Sequence, residues 1–81
     1  MIRMGKESNR TPSEVIERAI DFFGPSGLGM NVQEQSDCCA RFEGAGGEVV
    51  VQAVGTHQKG SDVTIEGREW EVQIKQFMGK I

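Results

Sequence analysis

Residues 48–55 (EVVVQAVG) carry Val49, Val51 and Ala53 at every second position, and the segments on either side keep that parity. Successive side chains of a strand point to opposite faces, so this pattern predicts a strand with one buried face, at the centre of an antiparallel sheet. Upstream, Cys38, Ala40 and Phe42 alternate with Cys39, Arg41 and Glu43, and Gly44-Ala45-Gly46-Gly47 reads as a hairpin loop. Closing that loop symmetrically sets Phe42 opposite Val49, Ala40 opposite Val51 and Cys38 opposite Ala53, so turn and pattern agree on register. Before it, Leu28, Met30 and Val32 alternate with Gly29, Asn31 and Gln33, and a polar turn near residues 35–37 joins the two segments. Downstream, a turn within residues 55–61 leads to Val63 and Ile65. Gly67-Arg68 then suits a two-residue turn into a last strand over residues 69–75, with Trp70, Val72 and Ile74 inward and Glu69, Glu71, Gln73 and Lys75 outward.

The period is different near the start. Thr11-Pro12-Ser13-Glu14 offers an N-cap, a proline at the first helical position and a glutamate at the third. Val15, Ile16, Ala19, Ile20 and Phe23 follow on one helical face, with Glu14, Glu17, Arg18 and Asp21 on the other. Gly24-Pro25 ends the helix, the glycine being suited to a left-handed cap. Residues 1–10 are polar apart from Ile2 and Met4 and read as a flexible tail, with a short edge strand at residues 2–4 as the weaker alternative. Ile74, Phe77, Met78 and Ile81 return to helical spacing, which predicts a short helical turn after the last strand. The expected fold is α+β: an N-terminal helix on one face of a five-stranded antiparallel meander, a single domain over residues 11–81.

An 81-residue chain buries roughly 60–65% of the surface that its unfolded form exposes. Its net charge of −3 is spread along the chain, with five basic and eight acidic groups in residues 28–81. Phosphate backbones demand clustered Lys and Arg, so nucleic acid is not expected as a partner. No apolar run reaches bilayer length, and the N-terminus lacks a signal core. With two cysteines, a reduced cytoplasmic setting is the expectation.

The candidate chemistry is thin. Cys38 joins the inward set beside Ala40, and Cys39 lies on the outer face near Arg41. A disulfide between neighbours closes a strained ring, and no further cysteine supplies a zinc site. His57, the one histidine, falls in a turn with no ligand set around it, so neither a metal nor another cofactor is expected. Glu66 faces Glu69 across the expected turn, and with Glu71 and Asp62 it reads as part of a solvated face. The glycine-rich link joins two strands and is followed by Glu48, unlike a phosphate-binding loop. Trp70 reads as the largest core piece.

Helix-plus-meander sheets resemble the cystatin-like and helix-grip architectures, in which a curved sheet wraps a helix. The resemblance is one of shape. Gln52-Ala53-Val54-Gly55 is one residue short of the Gln-x-Val-x-Gly signature of the cystatin inhibitory loop and lies on a strand, so no activity is carried over.

No nucleophile–base pair or ligand cluster is visible, and the expected function is therefore non-enzymatic. The outer sheet face has an apolar seam of Val50, Val54 and Cys39 beside Gln52 and Arg41. That seam or an exposed edge strand would bind a protein partner or a second copy of the chain. The alternative is a small-ligand cleft between helix and sheet rim, lined by Phe22, Met30, Trp70 and Phe77. An enzyme using Cys39 or His57 ranks last.

Overall fold

The computed structural model describes residues 2–44, 46–56 and 60–81. Strand β1 (Ile2–Ser8) leads into helix α1 (Pro12–Phe23), followed by β2 (Asn31–Gln35), β3 (Cys39–Gly44), β4 (Gly47–Gly55), β5 (Ser61–Arg68) and helix α2 (Glu71–Met78). The sheet is antiparallel with strand order β1-β5-β4-β3-β2. The α+β class, a five-stranded antiparallel sheet and the N-terminal helix over one face are as the sequence predicts; one of the five strands is not the segment expected, and it joins β5 across the sheet and not as the next step of a meander.

Helix α1 starts where the capping signal places it. Thr11 Oγ1 accepts from the Glu14 backbone N–H at 3.4 Å and donates to Glu14 Oε1 at 3.1 Å. Val15, Ile16, Ala19 and Phe23 are buried against the sheet. The helix ends at Gly24 in an extended conformation, φ −70° and ψ −171°, and not in the left-handed cap expected from its sequence. What glycine supplies there is space, because a Cβ would run into the Ile20 carbonyl oxygen. Leu28, Gly29 and Met30 N–H groups then donate to Phe22, Gly24 and Phe23 carbonyls. These bonds hold residues 28–30 against the helix end, so β2 begins only at Asn31 and Leu28 is exposed, not inward.

The β3–β4 register is the one that hairpin symmetry gives: Phe42 opposite Val49 and Ala40 opposite Val51, all buried. The chain reverses between Gly44 and Gly47 with Gly46 at φ +80°; Ala45 lies outside the described residues. The turn expected within residues 55–61 also stands, since Gly55 pairs with Ser61.

The two ends of the chain depart from expectation together. Gly67-Arg68 is not a turn: β5 continues through it, and the chain bends at Glu69, whose φ is +71°. Residues 71–78 then form α2 and not a strand. Two periodicities compete in this stretch. Alternation would bury Val72, which is 63% exposed, whereas helical spacing buries Ile74, Phe77 and Met78 and lets Trp70 and Ile81 pack against the core. The helical set covers more apolar surface, and Gly67 lets it approach. Ile74 Cδ1 occupies the space that a Cβ on residue 67 would take. Because α2 leaves the far side of β5 unpaired, the fifth strand comes from β1. Residues expected as a flexible tail pair with β5 along their length, from Ile2 opposite Gly67 to Ser8 opposite Ser61.

Both helices lie on the inner face. Phe23 bridges them to the sheet, with ring centroids 5.5 Å from Phe42 and 5.2 Å from Phe77. The core comprises Met30, Ala40, Phe42, Val49, Val51, Ala53, Val63 and Ile65 from the sheet side and the apolar stripes of α1 and α2. Trp70 is half-buried at its rim, donating through Nε1 to the Gly44 carbonyl at 3.2 Å, and Val32 is likewise half-buried.

Candidate interaction surface

With both helices on one side, alternation leaves the opposite face of the sheet to solvent. Register sets its residues in rows. Arg3, Glu66, Val50, Arg41 and Glu34 run across the five strands in order β1-β5-β4-β3-β2. Beside them lie Gly5, Thr64, Gln52 and Cys39, and beyond those Glu7, Asp62 and Val54. The expected seam is therefore broken. Val50 is half-buried among charges, with Arg3 3.3 Å from Glu66 on one side and Arg41 3.0 Å from Glu48 and 3.8 Å from Glu34 on the other. The hydrogen bond that Arg41 donates to Glu48, and then the Glu48 charge, hold the Arg41 guanidinium more firmly protonated than usual. Gln52 separates Val50 from Val54, which stands 54% exposed at the strand end.

The two sheet edges are unlike. Strand β2 is short and carries a register shift between Val32 and Glu34, a bulge of the kind that blunts an edge against further pairing. Strand β1 pairs over all its seven residues without a shift and contains no proline. Its outward groups follow from the ladder. Ala53 N–H bonds to the Cys38 carbonyl at 2.7 Å, so odd residues of β4 turn towards β3 and even ones towards β5. Antiparallel alternation then turns Ile2, Met4, Lys6 and Ser8 towards β5 and leaves the N–H and C=O groups of Arg3, Gly5 and Glu7 pointing away from the sheet.

Side chains on β1 are sorted in the same way. Lys6 lies on the inner face and donates to the Met78 carbonyl at 2.6 Å, so its ammonium is held at the end of α2. Ser8 Oγ donates to the Ile81 carbonyl at 2.9 Å. On the outer face Arg3 is 73% exposed, and Glu7 sits opposite Asp62, a like-charge pair. Among the described residues no cation lies within ion-pairing distance of Glu7.

The cysteines are not where the sequence pattern sets them. Cys38 precedes β3 in an exposed turn and is no part of the core; Cys39 is half-buried as the first residue of the strand. Their Sγ atoms are 3.4 Å apart. Ser36 Oγ accepts from the N–H groups of Cys39 at 3.1 Å and Cys38 at 3.5 Å. The hydrogen bond shared with Cys38, then burial, push the Cys39 thiol above its ordinary pKa, which Ser36 partly offsets.

The cleft residues do not converge. Phe22 and Phe77 meet, centroids 5.6 Å apart, in a groove of about 180 Å³ completed by Arg18, Asp21, Lys80 and Ile81. Met30 is buried against Gly44, and Trp70 stacks over Gly47 with Nε1 2.6 Å from where a Cβ would stand. Small-molecule sites occupy roughly 300–1,000 Å³, so the groove is undersized. Glu66 is held by Arg3 and does not face Glu69. His57 lies outside the described residues. Among the described residues there is no grouping of three or more His, Cys, Asp or Glu that would hold a metal, and no helix long and apolar enough to cross a membrane.

Strand β1 carries only a weak signal in the sequence: Ile2, Met4 and Ser8 alternate with Arg3, Gly5 and Glu7 in the period of a strand. Comparison with known protein families, with curated proteins and with solved structures gives no match to this chain.

Proposed function

We propose that this chain is an interaction module that assembles edge to edge, its β1 pairing with the β1 of a second copy to make one sheet shared by both. The observation that carries this reading is the self-complementarity of the open edge. An antiparallel pairing about a two-fold axis at Gly5 sets Gly5 opposite Gly5, Arg3 opposite the partner copy's Glu7, Met4 opposite Lys6 and Ile2 opposite Ser8. It uses every residue of β1, and the outward-pointing groups of Arg3, Gly5 and Glu7 become the hydrogen-bonded positions.

Neighbouring registers are poorer. Moving the axis to Lys6 sets lysine opposite lysine, and moving it to Met4 leaves Arg3 opposite glycine. Only the Gly5 register relieves Glu7, which among the described residues of one chain faces Asp62 and no cation. Opposite charges directly across a ladder stabilise by roughly 0.2–1 kcal/mol a pair, and like charges cost about as much.

Sedimentation equilibrium of the full chain tests the reading. The wild type is expected to dimerise, and Glu7→Lys to weaken the dimer by roughly 30-fold, since two attractive pairs become repulsive. That substitution sets a lysine beside Asp62, so the monomer keeps or gains stability and loss of assembly is not loss of fold. A wild type that stays monomeric at millimolar concentration, or a variant that dimerises equally well, rejects edge pairing.

A further inference from the structure

The turn before β3 places two thiols side by side where alternation along a strand would send them to opposite faces. Cys38 Sγ, on an exposed turn, and Cys39 Sγ, half-buried at the start of β3, are 3.4 Å apart. Ser36 ties the turn from inside, accepting from both cysteine N–H groups and donating its own N–H to the Cys39 carbonyl at 2.8 Å. From outside, β4 holds the peptide between the cysteines, because the Cys38 carbonyl accepts from Ala53 N–H at 2.7 Å.

That anchoring decides what the pair can do. Adjacent Cα atoms are about 3.8 Å apart across a trans peptide, short of the roughly 4.4–6.8 Å that disulfides span. Direct S–S closure must twist the peptide between them, and twisting it breaks the bond to Ala53. A single atom bridging the two sulfurs enlarges the ring and leaves the peptide in place. Among the described residues no third Cys, His or carboxylate joins the thiols, so a tetrahedral ion such as zinc lacks its ligand set. Two-coordinate soft cations prefer a linear S–metal–S arrangement, with the sulfurs farther apart than van der Waals contact. A pyramidal acceptor, whose bonds to sulfur meet near a right angle, matches the spacing seen here.

We propose that Cys38 and Cys39 form a chelating site for trivalent arsenic compounds. With an organoarsenous acid, two arsenic–oxygen bonds break and two arsenic–sulfur bonds form. Each thiol proton leaves with one oxygen as water, and arsenic stays trivalent, so no oxidant or reductant is involved. The second arsenic–sulfur bond forms within one molecule, which raises affinity over a lone thiol by roughly 100-fold.

The test uses the full chain and hydrated phenylarsine oxide, followed by intact mass spectrometry and thiol titration. The expected result is one phenylarsenic per chain, loss of both titratable thiols, retention in excess mercaptoethanol and release by dithiothreitol. Cys38→Ser and Cys39→Ser, each verified as folded by Trp70 fluorescence, are expected to weaken retention by about 100-fold. Wild type in denaturing urea is expected to bind about tenfold more weakly, because unfolding removes the preorganised turn. Two arsenics per chain, single variants that retain the probe as tightly as wild type, or undiminished binding by the unfolded chain would each overturn the proposal.

Discussion

Lys6 Nζ donates to the Met78 carbonyl oxygen at 2.6 Å, so the first strand caps the last helix. Carbonyls at a helix C-terminus lack intrahelical donors and carry partial negative charge, and a lysine ammonium answers both needs. Lys6→Met keeps the length and apolar stem of the side chain but removes the donor. It is expected to lower unfolding stability by about 1 kcal/mol, read as a lower urea midpoint with an unchanged slope.

Gly67 and Ile74 share one volume. A Cβ at position 67 would collide with Ile74 Cδ1, a fully buried side chain, and would stand 3.1 Å from the Glu48 backbone carbonyl oxygen, so neither neighbour yields freely. Gly67→Ala is expected to cost about 1–3 kcal/mol through overpacking. Ile74→Val removes the Cδ1 methyl and by itself costs about 1 kcal/mol as a buried deletion. Combined, the two substitutions should be less destabilising than their sum, and a thermodynamic cycle from four urea titrations measures that coupling. Strict additivity would mean that α2 does not rest on Gly67.

This contact also explains which parts of the fold are legible in the sequence. The β3–β4 hairpin and α1 are specified locally: a capping box, a glycine-rich reversal and an unambiguous period in each. Trp70-Glu71-Val72-Gln73-Ile74 satisfies two periods at once. What selects the helix is a tertiary fact, the space over Gly67 beside Val49 that Ile74 Cδ1 fills. Strand β1 is hidden for a related reason. Its apolar residues are sparse because Lys6 and Ser8 take inward positions, and both are satisfied by carbonyls some seventy residues further on. The outer surface was legible as a face but not as a row of ion pairs, since Arg3 and Glu66 meet only once β1 is placed. The thiol pair was obscured because β3 starts at Cys39 and not at Cys38, which removes the alternation that would part them.

Alkylation of Cys39 should be slow at neutral pH. Alkylation proceeds through the thiolate, and Cys39 holds its proton above the ordinary thiol value because of the Cys38 hydrogen bond and partial burial. Cys38→Ala removes the principal cause. The alkylation profile of Cys39 in that variant is expected to move to lower pH, with a faster rate at neutral pH than Cys39 shows in wild type. The folded chain binds this proton more tightly than the unfolded chain. The resulting stabilisation is present below the unfolded thiol pKa and is lost as pH rises through the folded value. Cys39 is only half-buried, so the loss is small. Peptide mapping after iodoacetamide at a series of pH values separates the two thiols, and a profile unmoved by Cys38→Ala would reject the shared hydrogen bond.

Edge pairing about Gly5 makes a prediction that non-specific association does not share. In a two-fold dimer each Arg3 meets the other copy's Glu7, so reversing either charge spoils both contacts at once. Arg3→Glu sets glutamate against glutamate and Glu7→Lys sets lysine against arginine; each variant alone is expected to be predominantly monomeric. Mixed together they become complementary. One chain then carries glutamates at both positions and the other carries an arginine and a lysine, so every cross-strand pair in the heterodimer is attractive. Each substitution changes the wild-type dimer by roughly 30-fold in Kd, and the mixture should recover most of that factor. Because Arg3 also lies 3.3 Å from Glu66, Arg3→Glu adds a repulsion within its own chain, and circular dichroism checks that β1 stays on the sheet. Native mass spectrometry of an isotope-labelled mixture counts homodimers and heterodimers directly. A statistical mixture of the three species would show that the two charges do not face one another, and would sink the Gly5 register even if the wild type dimerises.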